Sequence, residues 1–479
     1  MPDRDKYENP LCKRYASKNM QAIFSDNNKF STWRKLWTAL AESQKELGLN
    51  ISGEQIGEMR DNIDNINYET ANKFESETRH DVMAHILAYG EQCPKAKSVI
   101  HLGATSCYVG DNTDIILQRS ALILIRKLLL NAVEKLYNFS ERYKALPCLA
   151  YTHFQAAQPT TVGKRAALWI QDLLFDFERL DFTVSNLKLL GCKGTTGTSA
   201  SFLDLFGGDH GKVKELEKKI AGKMGFEQEK IYSVSGQTYS RKIDYYTLSV
   251  LSGIAQSAYK FSNDIRLLSH MKEIEEPFEE NQVGSSAMAY KRNPMRSERI
   301  ASLARYIITD ALNPALTASS QWLERTLDDS ANRRIAIPEA FLATVAILSL
   351  VINVADNMTV YPEIIKKRLD EELPFMATEN ILMRCVKKGG DRQILHERLR
   401  LYSVETARQI KLYGGKNDLI YRILSDELFN IDKEELESLI SAEGFTGRAK
   451  EQTEEFLAGV KIILEENREI LGENIHILV

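Results

Sequence analysis

Few glycines and prolines interrupt this chain: 26 Gly and 11 Pro in 479 residues. An all-β protein places more of both in its turns, so the shortage favours long helices. Cysteine is scarce as well. The six thiols, Cys12, Cys93, Cys107, Cys148, Cys192 and Cys385, are scattered without paired CxxC spacing. That excludes a disulfide framework and suits free thiols in a reducing, cytoplasmic setting. No charge of one sign dominates, because 62 basic and 66 acidic residues leave a net charge of −4. Such a balance is not that of a general polyanion binder, so no nucleic acid is expected as a partner. The start, MPDRDKYENP, lacks the apolar core of a secretory signal. The longest uncharged apolar run, Ala340 to Ala355, has 16 residues and includes Thr344, Ser349 and Asn353. A membrane span needs roughly 20, so this run reads as a buried helix and no membrane partner is expected. The HExxH, GxSxG and GxxxxGK[ST] patterns are missing too, which removes the zincin, acyl-transfer elbow and P-loop readings.

What the chain has instead is helical periodicity. Ser31 to Leu47 sets Trp33, Leu36, Trp37, Leu40 and Leu47 on or near one face. Asn112 to Tyr143 carries Ile115, Ile116, Leu122, Ile125, Leu129, Val133 and Leu136, apolar around most of the circumference. The same character returns in Val162 to Leu190, Ile243 to Met271, Met295 to Leu316 and Ile335 to Val360. Five long helices with wide apolar faces predict an all-α bundle. A helix of about 30 residues is about 45 Å long, too long for one small domain to cover. Several chains are therefore expected to share one core. After Tyr361 the text turns to shorter amphipathic helices such as Glu434 to Ser441 and Glu451 to Glu465. The expected division is an N-terminal helical domain over 1–111, a central long-helix bundle over 112–364 and a C-terminal helical domain over 365–479.

Four polar stretches break the helical text. In RHDVMAH (Arg79 to His85) the two histidines are five apart, not the three or four of a helical metal pair, so it reads as a helix start capped by Asp81. In HLGATSCYVGDN (His101 to Asn112), Gly103, Thr105 and Ser106 present N–H groups and hydroxyls just before a helix N-terminus, where anions are favoured. YTHFQAAQPTTVGKR (Tyr151 to Arg165) surrounds His153 with Gln155, Gln158, Thr160 and Thr161, ahead of a helix beginning near Pro159. That polar company suits acid–base work. In GSSAMAYKRNPMRSER (Gly284 to Arg299), small residues and the hydroxyls of Ser285 and Ser286 stand beside Lys291 and Arg292. Pro294 is expected as the first-turn proline of the Met295 helix. A serine held in a loop against cations can act as a base if they stabilise its alkoxide beside a developing enolate. Two further patches are GCKGTTGTSASF (Gly191 to Phe202), with Gly spaced by three, and ERTLDDSANRR (Glu324 to Arg334), whose arginine forks suit a phosphate or carboxylate.

With these stretches in view, the chain resembles the fumarase/aspartase superfamily. TSCYVGDN, THFQAAQP and GSSAMAYKRNP match its three separated segments in order, the third being its signature loop. KRYAS, RHDVMAH, SGQTYSRK, KRNPMRSER and LDDSANRRIAIPEAF add likeness to the branch that releases fumarate from succinylated purine nucleotides. The resemblance runs from about Arg14 into the C-terminal domain. One departure is Ala289, where the signature normally has proline.

The resemblance implies a three-domain, all-α fold with a central bundle shared in a homotetramer, each active site drawing on three chains. It implies a C–N lyase acting on small nucleotides, with no metal and no organic cofactor. By position it makes Ser285 the base and His153 the acid. His80 would support His153 or the substrate phosphate, and Glu298 would orient His80 or a neighbour. Lys291 and Asn293 would hold the succinyl carboxylate, and Thr105, Ser106 and Gln237 the fumaryl portion. Arg14, Tyr15, Arg325, Ser330 and Arg334 would hold the nucleotide and its phosphate, with Arg79, Asp81 and Thr152 also against substrate.

Overall fold

The apolar circumference read after Asn112 belongs to one helix of 38 residues, Ser106–Tyr143. The computed structural model that shows it describes residues 5–279 and 281–472. The elements used below are α1 (Asp26–Glu46), α2 (Asp81–Gln92), α3 (Ser106–Tyr143), β1 (Pro147–Thr152), β2 (Gln155–Thr161) and α4 (Val162–Asn186). They continue with α5 (Lys242–His270), β3 (Ile274–Glu275), α6 (Met295–Asp310), α7 (Leu312–Ser320), α8 (Asp329–Asn357), β4 (Thr359–Val360), α9 (Pro362–Met376), α10 (Arg392–Tyr413) and α11 (Ala449–Glu466). The fold is all-α, with two small two-stranded ladders, β1–β2 and β3–β4.

Contacts at the helix ends fix the directions. Asp111 near the start of α3, Arg241 before α5 and Asp329 at the start of α8 are ion-paired with one another. At the opposite end β3, which follows α5, pairs with β4, which follows α8. There Tyr151 of β1, which follows α3, donates to the Glu273 carboxylate at 3.4 Å. So α3, α5 and α8 run together, while α4 and α6 run back between them. At about 1.5 Å per residue, the 38 residues of α3 separate the two ends by about 57 Å.

The helices bury their apolar faces in one large cluster drawn from α3, α4, α5, α6, α8, α9 and α11. A second cluster packs Trp33, Trp37 and Leu40 of α1 against Tyr89, Tyr108 and the 192–220 segment. A third, around Ile381, Leu395, Leu399 and Phe429, lies in the C-terminal helices. By length and composition α8 is the one helix among the described residues that could cross a membrane, but 78% of its most apolar window is buried inside the protein.

Three local expectations change. The stretch from Tyr151 to Thr161 is a β-hairpin, not a loop running into a helix at Pro159, and α4 begins only at Val162, capped by Thr161 Oγ1 accepting from the Lys164 N–H at 3.1 Å. Its two-residue turn is His153-Phe154, without the Asn-Gly or Asp-Gly that usually signals one. The Met295 helix ends at Asp310 and restarts as α7, because Pro314 has no N–H for the Asp310 carbonyl and its ring would clash there. Pro294 sits at the N-cap of α6, one residue outside the position expected for it.

Candidate functional site

At the first end of the bundle, four segments drawn from a stretch of more than 250 residues converge. His80 occupies the N-cap of α2, with its Nδ1 accepting from the Met83 N–H at 3.3 Å. A neutral ring accepting at Nδ1 carries its proton on Nε2, and Nε2 lies 3.3 Å from Ser106 Oγ. The cap is thus His80, not Asp81. Asp81 stands in the first turn, where it accepts from the Val82 N–H at 2.8 Å and from Arg334 at 2.8 Å. Burial would raise its carboxyl, but that N–H and the guanidinium hold it below the ordinary range. Thr105 is the N-cap of α3, half-buried, with Ser106 beside it. Cys107 donates to Gln237 Oε1 at 3.6 Å, and the Gln237 N–H donates to the Glu324 carbonyl at 3.0 Å. Arg79, at a positive φ of 55° between two helices, is exposed. Gly236 and Gly197 permit this convergence. A Cβ on Gly236 would sit 2.5 Å from the Glu324 carbonyl, and one on Gly197 would sit 2.0 Å from that of Ser235. Gly197, the last glycine of GCKGTTGTSASF, thus serves close approach of backbones.

Beneath these groups runs a chain of buried ion pairs. Arg325 donates to Asp329 at 3.0 and 3.2 Å, and Asp329 accepts from Arg241 Nε at 2.6 Å. Arg241 grips Asp111 with two donors at 2.9 and 3.2 Å, and Asp111 also accepts from the Tyr239 N–H at 2.9 Å. One more link joins Arg333 to Asp244 at 2.7 Å and Asp114 at 2.8 Å. Asp244 would rise on burial, yet Arg333 and Arg241 keep it below its ordinary range. These pairs tie the Ser106 segment, the Gln237 segment and the Arg325–Ser330–Arg334 segment into one body. Breaking a buried pair leaves the other charge stranded, at a cost of about 3–5 kcal/mol.

The second end carries His153 and Ser285. His153 and Phe154 form the hairpin turn with φ of 52° and 57°, a left-handed backbone that bulky residues seldom adopt. Both side chains are exposed, as is Thr152. Ser285 lies in the loop between Glu276 and α6. Its Oγ accepts from the N–H groups of Met288 at 3.1 Å and Ala287 at 3.3 Å. The loop is pinched at its neck: Asn293 Nδ2 donates to the Gly284 carbonyl at 2.8 Å, and a Cβ on Gly284 would lie 2.1 Å from the Lys291 carbonyl. Lys291 and Arg292 point outward, with Arg292 stacked 5.1 Å over the Phe278 ring. Glu298 is exposed in the first turn of α6. Arg14 and Tyr15 end a short turn, Leu11–Tyr15, and Arg299, one turn into α6, stacks 5.8 Å over the Tyr15 ring.

The structure therefore gathers His80, Asp81, Thr105, Ser106, Gln237, Arg325, Ser330 and Arg334 at one end, and His153, Ser285, Lys291 and Asn293 at the other. It does not bring the two sets together within one chain. Sequence reasoning missed the pairing of Arg241, Asp329 and Asp111, although opposite charges at or near the starts of otherwise apolar helices were the available signal. It also missed Arg299 and Glu276.

Comparisons with known proteins match this chain along most of its length. Residues 9–309 match the family model described as Lyase, and residues 374–456 match the one described as Adenylosuccinate lyase C-terminus. An adenylosuccinate lyase of Saccharomyces cerevisiae is 52% identical over 95% of this chain and 95% of its own. One of Schizosaccharomyces pombe is 50% identical over the same shares. Among solved structures, 3-carboxy-cis,cis-muconate lactonizing enzyme from Pseudomonas putida superposes with a TM-score of 0.80 over 95% of this chain and 99% of its own, at 20% identity.

Proposed function

The chain belongs to the adenylosuccinate lyase family, and from that premise we propose how its residues carry the family's reaction. That reaction is the β-elimination of fumarate from adenylosuccinate, giving AMP, and from SAICAR, giving AICAR, in purine nucleotide biosynthesis. Ser285, as its alkoxide, takes the proton from the carbon next to a succinyl carboxylate. The electron pair left behind spreads into that carboxylate as a dianionic aci-form. Collapse of the dianion forms the carbon–carbon double bond of fumarate and expels the nitrogen, which His153 protonates. The two N–H groups aimed at Ser285 Oγ, 3.1 and 3.3 Å away, favour negative charge on that oxygen. Lys291 and Asn293 answer the charge that develops on the carboxylate. Thr105, Ser106 and Gln237 hold the fumaryl portion. The nucleotide and its phosphate fall to Arg14, Tyr15, Arg325, Ser330 and Arg334, with Arg79, Asp81 and Thr152 beside them. His80 supports the acid or the phosphate, and Glu298 orients a neighbour.

The observation that carries this reading is the division of the candidate residues between bundle ends about 57 Å apart on α3. Antiparallel copies of the bundle would set the first end of one chain beside the second end of another. We therefore infer a homotetramer with sites drawn from three chains. Leu168, Phe175 and Phe182 support it. They recur every seven residues on α4, are 49%, 60% and 61% exposed, and form one stripe fit for a neighbouring bundle. The free thiols and the buried α8 support a cytoplasmic enzyme, and we propose with it the division into 1–111, 112–364 and 365–479.

Purified protein given adenylosuccinate should release AMP and fumarate, followed by the purine absorbance. Cleavage of argininosuccinate instead, with both succinylated nucleotides untouched, would overturn the substrate reading. Ser285→Ala should lose turnover by a factor of about 10² to 10⁴ while still binding substrate. Mixing it with His153→Ala protein should restore part of the activity after subunit exchange. No rescue would count against shared sites.

A further inference from the structure

The loop that carries Ser285 leaves the bundle after Glu276 and returns at Arg296, and these two residues close a clamp across its stem. Glu276 is 7% exposed and directly follows β3, twenty residues before Arg296 in the first turn of the helix it caps. Its Oε1 accepts from the Arg296 N–H at 2.9 Å, and its Oε2 accepts from both the N–H and the Oγ–H of Ser297 at 2.9 Å. These are free N–H groups of the first turn of α6, whose own N-cap is Pro294 and supplies no side-chain acceptor. A carboxylate there also meets the positive end of the helix dipole. Arg296 returns the bond: its guanidinium, 7% exposed with its residue, donates to the Pro277 carbonyl at 3.0 Å and pairs with Glu279. One end of the loop is thus tied to the other by four hydrogen bonds between Glu276–Pro277 and Arg296–Ser297, with a further ion pair from Arg296 to Glu279. The neck at Gly284 and Asn293 is a second, lighter tie nearer the tip, resting on one hydrogen bond.

We propose that Glu276 is a positioning residue for the elimination, holding the stem of the Ser285 loop in register with α6 so that the loop moves only beyond the neck. It touches no reacting atom. The proposal rests on the assignment of Ser285 to the reacting loop. Its physical content does not, because the clamp governs how far the loop opens whatever the loop does. Glu276→Gln is nearly isosteric, yet it sets an amide NH₂ against an N–H donor of Arg296 or Ser297. Removing one acceptor from a buried donor costs more than the bond itself is worth.

The test compares Glu276→Gln, Ser297→Ala and, as a control far from the loop, the exposed Glu437→Gln in the full-length protein. Three readouts are taken: thermal melting, trypsin cleavage after Lys291 or Arg292 at the exposed tip, and kcat and KM with adenylosuccinate. Glu276→Gln should speed cleavage at the tip several-fold and lower kcat by about ten- to a hundred-fold, since a misplacement near 1 Å costs up to that much. KM and melting should change little. Ser297→Ala, which removes only one of the bonds, should show the same pattern more weakly, and Glu437→Gln should match wild type. Cleavage as slow as wild type in both clamp variants would overturn the proposal, as would faster cleavage with kcat unchanged. A fall in kcat matched by lower melting, without faster cleavage at the tip, would reassign Glu276 to general stability. If Ser285→Ala kept normal turnover, the Ser285 assignment would fail by itself, while the cleavage results would still judge the clamp.

Discussion

The two ends of the bundle are held by different means. At the first, side chains are fixed by charge: Arg325, Asp329, Arg241 and Asp111 form a buried chain of ion pairs that joins three distant segments. At the second, the backbone holds itself: a left-handed hairpin turn at His153, N–H groups turned onto Ser285 Oγ, and a carboxylate cap at the stem. Ion pairs in a low-dielectric core fix position but tolerate no partial motion, because each stranded charge is costly. Beyond the buried stem, hydrogen bonds in the exposed loop are replaced by water as it opens, so movement there is cheap. The first end suits the groups proposed to hold the fumaryl portion and the phosphate. The second suits groups that close over a substrate and then let a product leave.

The largest expected effect tests that contrast at its stiff end. Arg241→Met leaves Asp111 and Asp329 buried without their shared cation, and should lower stability by about 3–5 kcal/mol. Arg292→Ala at the loop, where the side chain is exposed and only 3.6 Å from Glu275 at best, should stay within about 0.5 kcal/mol. Paired urea titrations would check both. Equal losses would erase the distinction between the ends.

A second, smaller effect is set by pH. The His101 imidazole accepts from the Trp37 indole N–H at 2.8 Å beside the first end, and burial with the nearby His80 lowers its pKa to about 4. His85, stacked 3.8 Å on Phe30, is likewise lowered to about 4 by burial, Arg34 and Lys29. In the unfolded chain each titrates near 6.5. The unfolded state therefore takes up protons first as the pH falls. Stability is fully present above about pH 6.5 and is lost as the pH drops toward 4. Burial raises Asp176 to about 7 and Asp310 to about 6, which works in the opposite sense. A variant measured against wild type cancels those carboxyls. His101→Asn, tolerated at the positive φ of 67°, should lose less stability between pH 7 and pH 5 than wild type does. An equal slope would mean that His101 is protonated in the folded protein.

How much of this was legible depended on the range of each interaction. Wide apolar faces recur at helical spacing, so α3, α4, α5 and α8 could be read from the text, with ends displaced by a few residues. The polar stretches could be read as candidates because each is contiguous. The hairpin could not, because His153-Phe154 carries no turn signature and its geometry is imposed by the ladder from Thr152–Gln155 outward. The ion-pair chain joins residues 88 to 130 positions apart, and each member alone looks like an ordinary helix-start charge. Glu276 was hidden for a related reason. A cap is sought one residue before a helix, and this one reaches α6 from twenty residues upstream.

The smallest effect concerns the tip of the mobile end. The Lys291 N–H donates to the Met288 carbonyl at 3.0 Å, which makes Met288 to Lys291 a turn with Ala289 in its second position. Proline is favoured there because its ring fixes φ near −65°. Among the described residues the Ala289 N–H donates no hydrogen bond, and its φ is not positive, so proline would cost neither a bond nor a strained backbone at that residue. It would narrow the conformations of the opened loop and so favour the turn by about 0.4–1 kcal/mol. Ala289→Pro should therefore slow trypsin cleavage at the tip by about two- to five-fold, opposite in sign to Glu276→Gln, with melting unchanged because the tip is exposed. Faster cleavage would mean that Met288 is driven from its conformation by the proline that follows it. Alanine would then be the residue this turn requires. With slower cleavage, alanine is what loosens the tip, and the stiffness of the second end is set separately at its two ties: by Glu276 at the stem and by residue 289 at the turn.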